Sequence, residues 1–211
     1  MNYNFIVIEG LIGAGKTSLS KMIAQKFNAK LILEQFADNP FLPKFYKSPD
    51  KYSFPLELSF LAERYQQLKE ELASGDLFKS FSVSDYYFSK SLIFAKSTLA
   101  DDEYNLFRKL FNIIYTGLPK PDLYVYLHLS SENALKNIKK RGRDYEQTIE
   151  KEYLETLRHN YFEYFKQEKN LKFLIIDTNG IDFVNNPKDF EIIVDVIFNK
   201  NYSVGINRVI L

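Results

Sequence analysis

Residues 10–17, GLIGAGKT, constrain the fold of this chain more than any other stretch of its sequence. They match the pattern G-x-x-x-x-G-K-[ST] in full, and they lie between the apolar run NFIVIE (4–9) and a segment with helical periodicity. Glycines let backbone N–H groups converge on an anion without Cβ clashes, and the start of the following helix adds a favourable dipole. The stretch therefore predicts a strand, a phosphate-binding loop and a helix, in that order.

This loop also supplies the residues that are expected to hold a nucleoside triphosphate. Lys16 can reach the outer phosphates, and the Thr17 hydroxyl can ligate Mg²⁺. The alternative is a structural glycine turn without a ligand, and the loop alone does not distinguish a kinase from a GTPase or a motor. The expected nucleotide-binding residues are Gly10, Gly13, Ala14, Gly15, Lys16, Thr17 and Ser18.

Short apolar runs alternate with longer helical segments, which is typical of an α/β protein. Such alternation predicts a parallel sheet with helices on both faces and ligands at the carboxyl ends of its strands. Glu34 and Asp85 lie at or near two of these ends. The proline-containing segment 39–49 is interpreted as a loop, and the tail 201–211 receives no assignment. Five strands are predicted, at 4–9, 30–35, 81–85, 123–129 and 172–178.

Composition narrows the class of protein. The 211 residues fit one domain (1–211), and a formal net charge of +1 gives no field that points to nucleic acid or to a membrane surface. Without cysteine there is no disulfide or thiolate metal site, and with no signal peptide predicted we expect a cytoplasmic location. No run approaches the ~20 apolar residues of a membrane span. The 19 Phe and 15 Tyr are attributed to an aromatic core.

A basic segment at 139–148 is the second candidate for chemistry. Four cations occupy positions 139, 140, 141 and 143. One interpretation is the solvated end of a helix, where cations complement the dipole. The other is a lid whose Arg141 and Arg143 close over a transferring phosphoryl group, exclude water and neutralise the charge of the transition state. Because the chain also has a predicted phosphate-binding loop, we favour the interpretation as a lid.

Several segments taken together resemble the deoxynucleoside kinases. They are GLIGAGKTS, LEQFADNPFLPKFY, SFLAERYQQL, a strand ending at Asp85, and RGRDYEQTIEKEYLETL, in the family's order over about residues 3–180. The resemblance implies a P-loop kinase fold with a five-stranded parallel sheet and an arginine-rich lid. It also implies ATP-dependent phosphorylation of the 5′-hydroxyl of a deoxynucleoside in nucleotide salvage, with Mg²⁺, by a homodimer.

The same resemblance assigns catalytic roles. Glu34 is expected to be the general base that takes the proton of the 5′-hydroxyl. Asp85 is expected to hold Mg²⁺ with Thr17. Lys16, Arg141 and Arg143 are expected to stabilise the transferring phosphoryl group. A capping or salt-bridge carboxylate is the alternative role for Glu34.

The acceptor pocket is assigned in the same way. Tyr46 and Glu146 match a pair that holds the sugar 3′-hydroxyl. Arg64 matches an arginine of the base pocket, and Phe94 matches a phenylalanine that stacks on the base. Arg64 could instead be one of the charges on a long helix, and Phe94 could be ordinary core.

Three residues depart from the family pattern. Glu57 replaces a glutamine that pairs with the base; a carboxylate only accepts hydrogen bonds, which suits the two adjacent donors of guanine or of a pterin. Tyr86 replaces an arginine, and Lys90 is a candidate for the missing cation. Ser91 replaces an aspartate that pairs with the pocket arginine, so Arg64 is expected to pair with Glu57 or to stay free for a ligand. Two other functions stay open: a kinase of a hydroxymethyl compound such as a pterin, and a non-catalytic nucleotide-binding module.

Overall fold

In the computed structural model of the chain, parallel strands form one sheet in the order β2-β3-β1-β4-β5-β6. The structure describes residues 3–35, 39–73, 76 and 78–211, so residues 36–38 of the family-like segment 33–46 lie outside it. The strands are β1 (Phe5–Gly10), β2 (Lys30–Ile32), β3 (Ser82–Ser84), β4 (Leu123–His128), β5 (Lys172–Asp177) and β6 (Gly205–Ile210).

Helices cover both faces of this sheet, as the alternating pattern predicts. The helices are α1 (Lys16–Phe27), α2 (Leu42–Lys47), α3 (Pro49–Ala73), α4 (Ser89–Thr98), α5 (Asp101–Tyr115), α6 (Ser131–Arg141), α7 (Lys151–Gln167) and α8 (Pro187–Phe198). A 3₁₀ turn at Asp144–Glu146 follows α6.

Strand β1 lies in the interior of the sheet, and its side chains are buried on both faces, as expected of a parallel strand covered by helices. Ile6 and Ile8 point to one face, which is largely aliphatic and packs against α1, α6 and α8. Phe5 and Val7 point to the other face. There the rings of the sheet and of α4, α5 and α7 pack against one another, so the abundant Phe and Tyr do form an aromatic core.

The prediction of five strands was wrong, since the tail 201–211 contributes a sixth. Strand β6 pairs in parallel with β5, from Lys172 opposite Gly205 to Asp177 opposite Ile210. Its residues alternate between partly buried and exposed, as expected of a strand at the border of a sheet. Six residues at the end of a chain give too short a pattern to identify without the neighbouring strand.

The prediction of a loop at 39–49 was also wrong. Helix α2 begins there with Pro43 in its first turn, where a missing N–H costs nothing, and Pro49 begins α3 in the same way. Phe45 turns inward from α2 to contact α3 residues Leu56 and Phe60. Prolines therefore lie in the first turns of two helices here, and α2 packs against α3.

Among the described residues, every helix is too short or too polar to cross a lipid bilayer.

The aromatic face gives a direct test of the core. Phe165 is 2% exposed and contacts the rings of Tyr124, Tyr126 and Phe173. Replacing Phe165 with Ala should lower the free energy of unfolding by about 3–5 kcal/mol, because it leaves a cavity among rings. Urea unfolding followed by circular dichroism measures this loss.

The matched control is Phe78→Ala, because Phe78 is 86% exposed. We expect it to stay within about 0.5 kcal/mol of the wild type. Equal effects of the two substitutions would contradict the assignment of Phe165 to the core.

Candidate active site

The glycine-rich loop, residues 10–17, connects β1 to α1 in the conformation that its glycines permit. Gly13 and Gly15 have φ values of +85° and +88°, in the left-handed region that side chains disfavour. A Cβ on Gly13 would lie 2.7 Å from the carbonyl oxygen of Ala134 in α6. Asn137 of α6 donates a hydrogen bond to the Gly13 carbonyl at 2.9 Å. The loop is thus pressed against α6, and its backbone has no room for larger residues.

Lys16 opens α1 and turns its ammonium group back into the loop. Its Nζ donates to the carbonyl oxygens of Gly10 and Leu11 at 3.0 and 2.9 Å. Burial, and then the nearby Lys90, lower the pKa of Lys16 to about 8, against the opposing pull of Glu9, Glu34 and Asp85. The lysine is therefore still mostly protonated at neutral pH, in a position next to the amides of the loop.

The carboxyl ends of β2 and β3 bring two carboxylates to the start of α1. Asp85 follows β3 directly, and its Oδ2 accepts a hydrogen bond from the Thr17 hydroxyl at 2.5 Å. Its Oδ1 accepts from the backbone N–H of Glu34 at 2.8 Å. Asp85 therefore ties the loop to the segment after β2, as expected for strand ends that share an edge.

Glu34 lies between two cations. Lys90 Nζ is 2.5 Å from its Oε2, and the Arg64 Nη2 is 2.7 Å from its Oε1. Burial favours the neutral acid, but Lys90 and Arg64 outweigh it and hold the pKa of Glu34 at about 2. The side chain is 10% exposed and is a carboxylate at any physiological pH.

The expectation that Arg64 pairs with Glu57 or stays free was wrong. Arg64 donates through Nε to Glu34 at 2.9 Å and through Nη1 to the Ser91 hydroxyl at 2.8 Å. Its guanidinium group also lies 4.6 Å from the centre of the Phe60 ring. Ser91 keeps contact with the arginine as a neutral acceptor, so the negative partner comes from the segment after β2.

Two cavities meet at these residues. The larger, about 770 Å³, is lined by residues 13–18 of the glycine-rich loop, by α6 and by residues 178–185 after β5. The smaller, about 120 Å³, is lined by Glu34, Tyr46, Glu57, Arg64 and Phe94, with Asp85 at its border. Lys16, Thr17, Arg141 and Arg143 line both. We refer to them as the donor cavity and the acceptor cavity.

The basic segment closes one side of both cavities. Arg141 ends α6, where Gly142 adopts a left-handed conformation and turns the chain. Arg141 and Arg143 both bond to the carboxylate of Glu146, which the 3₁₀ turn presents to them. The Tyr145 ring lies 5.8 Å from the Tyr46 ring of α2. The arginines are therefore held over the site through Glu146, rather than spread in solvent at a helix end.

Most of the residues predicted from the sequence line the two cavities, but Tyr86 and Gly10 do not. Tyr86 is fully buried, and its hydroxyl donates to Gln67 Oε1 of α3 at 2.7 Å, away from the lining of the acceptor cavity. Lys90 lines that cavity and is 7% exposed. Gly10 is the last residue of β1 and is not among the residues that line the donor cavity.

Glu57 lines the acceptor cavity, as do Tyr46 and Tyr153. Thr98 donates a hydrogen bond to its Oε1 at 3.0 Å. Its Oε2 is buried and has no hydrogen-bond partner among the described residues. An uncompensated buried carboxylate oxygen is costly, and it points to a ligand that would donate to it.

No role was predicted from the sequence for Glu9, the last residue of the apolar run NFIVIE. This fully buried carboxylate accepts from the Tyr161 hydroxyl at 2.9 Å, from the Tyr87 N–H at 3.1 Å and from the Gly10 N–H at 3.3 Å. Burial raises its pKa, while Lys90 and Lys16 lower it. Glu9 thus fixes the start of the loop to the segment after β3. A glutamate within an otherwise apolar strand was the signal available in the sequence.

The residues predicted for Mg²⁺ fit such an ion in part. Thr17 and Asp85 offer a hydroxyl and a carboxylate in direct contact, and both are the hard oxygen ligands that Mg²⁺ prefers. Within the described part of the chain, no three acidic or histidine side chains form a complete metal cage.

Comparison with known proteins matches this arrangement to one family. The sequence profile of the deoxynucleoside kinases matches residues 6–202. The chain is 42% identical over 192 residues to the deoxyguanosine kinase of Bacillus subtilis, which covers 89% of this chain and 92% of that protein. It is 37% identical over 183 residues to the deoxyadenosine kinase of Dictyostelium discoideum, covering 85% and 74% of the two chains.

A solved structure agrees with these relatives. The deoxyadenosine kinase of M. mycoides with bound dATP superposes with a TM-score of 0.80 at 28% identity, over 93% of this chain and all of that one. The chain therefore belongs to the deoxynucleoside kinase family, and it is an enzyme of that class.

The loop geometry leads to a prediction about nucleotide binding. Replacing Gly13 with Ala forces a left-handed conformation on a residue with a Cβ and drives that Cβ into the Ala134 carbonyl. We expect the affinity for Mg-ATP to fall by about 5- to 150-fold, since strain of about 1–3 kcal/mol displaces the amides. Isothermal titration calorimetry measures the dissociation constant.

Gly180 is the matched control, because it lies next to residues of the same cavity and a Cβ there would meet nothing within 4 Å. Gly180→Ala should bind Mg-ATP as the wild type does. Unchanged affinity in Gly13→Ala would show that the loop does not hold the phosphates.

Proposed function

We propose that the protein transfers the γ-phosphoryl group of ATP to the 5′-hydroxyl of a deoxynucleoside with a guanine-type base, in nucleotide salvage. The observation that carries this proposal is the position of Glu34. It lines the acceptor cavity together with Lys16 and Thr17 of the glycine-rich loop, and these two residues also line the donor cavity. A carboxylate facing a phosphate-binding loop across a shared opening suits phosphorylation of an alcohol.

The donor cavity would hold ATP by its phosphates. Backbone amides of residues 13–17 and the N-terminal end of α1 would bind the phosphate oxygens, and Lys16 would leave the Gly10 and Leu11 carbonyls to contact them. Thr17 and Asp85 would hold Mg²⁺, which would supply positive charge to offset that of the phosphates. Solved structures of the M. mycoides deoxyadenosine kinase contain bound dATP or dCTP, so that relative binds nucleoside triphosphates.

Glu34 would act on the acceptor hydroxyl. As the 5′-oxygen forms its bond to the γ-phosphorus and the bond to the β–γ bridging oxygen breaks, the hydroxyl proton passes to a Glu34 carboxylate oxygen and ADP leaves. A carboxylate with a pKa of about 2 is a weak base, but the proton is transferred only when the hydroxyl has become acidic in the transition state. Arg64 and Lys90 fix the direction of the carboxylate meanwhile.

Arg141 and Arg143 would stabilise the transferring group. Their guanidinium groups line both cavities, and planar forks match phosphoryl oxygens. In this proposal the segment 139–148 acts as the lid, with Glu146 as the residue that sets its position. Tyr46, Glu146 and Phe94 line the acceptor cavity. Tyr46 and Glu146 would hold the 3′-hydroxyl, as the resemblance implies, and Phe94 would stack on the base. The homodimer and the cytoplasmic location remain predictions.

Glu57 supports guanine as the base. Its carboxylate offers acceptors only, and guanine presents two adjacent donors, N1–H and the N2 amino group. The Bacillus subtilis relative and a 35% identical relative from Lactobacillus acidophilus are both deoxyguanosine kinases by name. A pterin has the same edge as guanine, so it belongs in the same assay.

A direct assay tests the proposed reaction. The protein is incubated with Mg-ATP and one acceptor at a time (deoxyguanosine, deoxyadenosine, deoxycytidine or a hydroxymethyl pterin), and release of ADP is measured. We expect the fastest release with deoxyguanosine. Release with the pterin alone would replace the proposed acceptor, and ATP binding without ADP release would indicate a nucleotide-binding module.

Glu34→Gln tests the base. The amide has nearly the same shape but cannot take the proton, so kcat should fall by about 10²–10⁴-fold. The dissociation constant for Mg-ATP should stay within about twofold, because Glu34 lies on the acceptor side. A variant that retains its kcat would exclude Glu34 as the general base.

Lys90 has a separate prediction. We expect Lys90→Met to lower kcat by about 10–100-fold, because the site loses a buried cation beside the reacting oxygen. Lys90→Arg should recover part of that loss, since the charge is kept. Equal activities of Lys90→Met and the wild type would show that the charge at position 90 has no part in the reaction.

A further inference from the structure

The two oxygens of Glu57 have different surroundings. Oε1 is 3.0 Å from the Thr98 hydroxyl, which also lies 3.2 Å from the Phe94 carbonyl oxygen. Oε2 is buried and has no hydrogen-bond partner among the described residues. The residue is 2% exposed, and it lines the acceptor cavity. Glu57 is therefore a buried carboxyl group with one oxygen left for whatever enters that cavity.

Glu57 also lacks a cation of its own. Arg64, on the same helix, and Lys90, on α4, both bond to Glu34. Within the described residues, neither cation lies at ion-pair distance from Glu57. Across the cavity the lid arginines, Arg141 and Arg143, are bonded to Glu146.

The remaining titratable groups that face Glu57 do not compensate its charge. Tyr46 of α2 and Tyr153 of α7 are phenols whose pKa values burial raises well above the ordinary range, so they are neutral. Glu34 is negative and opposes ionisation of Glu57. Burial therefore outweighs the attraction of Arg64, the Thr98 hydrogen bond and Lys90, and it raises the pKa of Glu57 to about 7.

The two protonation states of this group offer different hydrogen bonds to a base. The carboxylate offers acceptors only, which match the N1–H and N2 amino donors of guanine. The neutral acid offers one O–H donor beside an acceptor, which matches the N1 acceptor and N6 amino group of adenine. A buried polar group facing the wrong partner costs about 1–3 kcal/mol, which is a preference of about 10- to 100-fold.

We propose that protonation of Glu57, with Thr98 as its hydrogen-bond partner, decides which purine the acceptor cavity takes: guanine when Glu57 is ionised and adenine when it is neutral. This inference rests on the proposed function, because it describes the selection of the acceptor in that reaction. Thr98 acts as a positioning residue, since it contacts the carboxyl group and not the base.

The test is the ratio of kcat/KM for deoxyguanosine to kcat/KM for deoxyadenosine between about pH 6 and pH 8. Titrations shared by the two reactions, including those of Lys16 and Glu34, cancel in this ratio. If each purine uses one state, the ratio follows the quotient of ionised to neutral Glu57. It should then rise with pH by at most about tenfold per pH unit, most steeply near the pKa of Glu57, and level off where each state's preference of about 10- to 100-fold is reached.

Two variants separate this mechanism from a merely structural role. Glu57→Gln has no titrating group, so the ratio should become independent of pH and should favour adenine, which pairs with an amide. Thr98→Val removes a donor to the carboxylate and raises the pKa of Glu57. It should therefore shift the ratio toward adenine at every pH while the slope against pH is kept.

The outcomes distinguish this inference from the proposed function. Absence of ADP release with every deoxynucleoside overturns the proposed function itself. Activity on both purines with a ratio that does not change with pH in the wild type overturns the inference alone. If Glu57→Gln does not fold, the pH dependence of the kcat/KM ratio in the wild type is enough to overturn the inference. A sloping ratio that persists in a folded Glu57→Gln protein assigns the titration to another group and also overturns the inference.

Discussion

The acceptor side of this site depends on the buried charges around Glu34. Two cations, Arg64 and Lys90, come from different helices and converge on that one carboxylate, while its backbone N–H is held by Asp85. Isolated charges are expensive to bury, so each member of this group requires the others. Helices α3 and α4 are thereby fixed to the segment after β2, and the wall of the acceptor cavity follows from that arrangement. One fewer cation there would change the pKa of Glu34 and the direction in which it points.

Much of the architecture could be predicted from the sequence because its patterns are strong. The apolar run before the glycine-rich loop could only be a buried strand, and the alternation of strands and helices required a parallel sheet whose carboxyl ends gather Glu34, Asp85 and the loop. Both expectations hold, since Asp85 bonds to Thr17 and to Glu34. Strand β6 could not be predicted, because a short border strand derives its identity from pairing with β5 rather than from its own composition.

Pairings between side chains were harder to predict than positions. Helical spacing places Arg64 and Glu57 on one face of α3, yet Arg64 turns to Glu34, whose charge comes from an element distant in sequence. Tyr86 illustrates the same limit. Its place after Asp85 in the sequence suggested that Tyr86 lines the site. A fully buried phenol needs a hydrogen-bond acceptor, however, and Gln67 of α3 provides one away from the lining of the acceptor cavity. Such choices are made by the balance of burial and hydrogen bonding in the folded chain, which a linear pattern does not contain.

Arg141 and Arg143 belong to the walls of both cavities, and this shared wall has a thermodynamic consequence. If a ligand in one cavity fixes the positions of the two guanidinium groups, it changes the free energy with which a ligand binds in the other cavity. Linkage makes the effect mutual. If the first ligand changes the affinity for the second by some factor, the second changes the affinity for the first by the same factor. Any coupling that Arg141 and Arg143 transmit between the two cavities is therefore reciprocal, and it requires no change in the sheet.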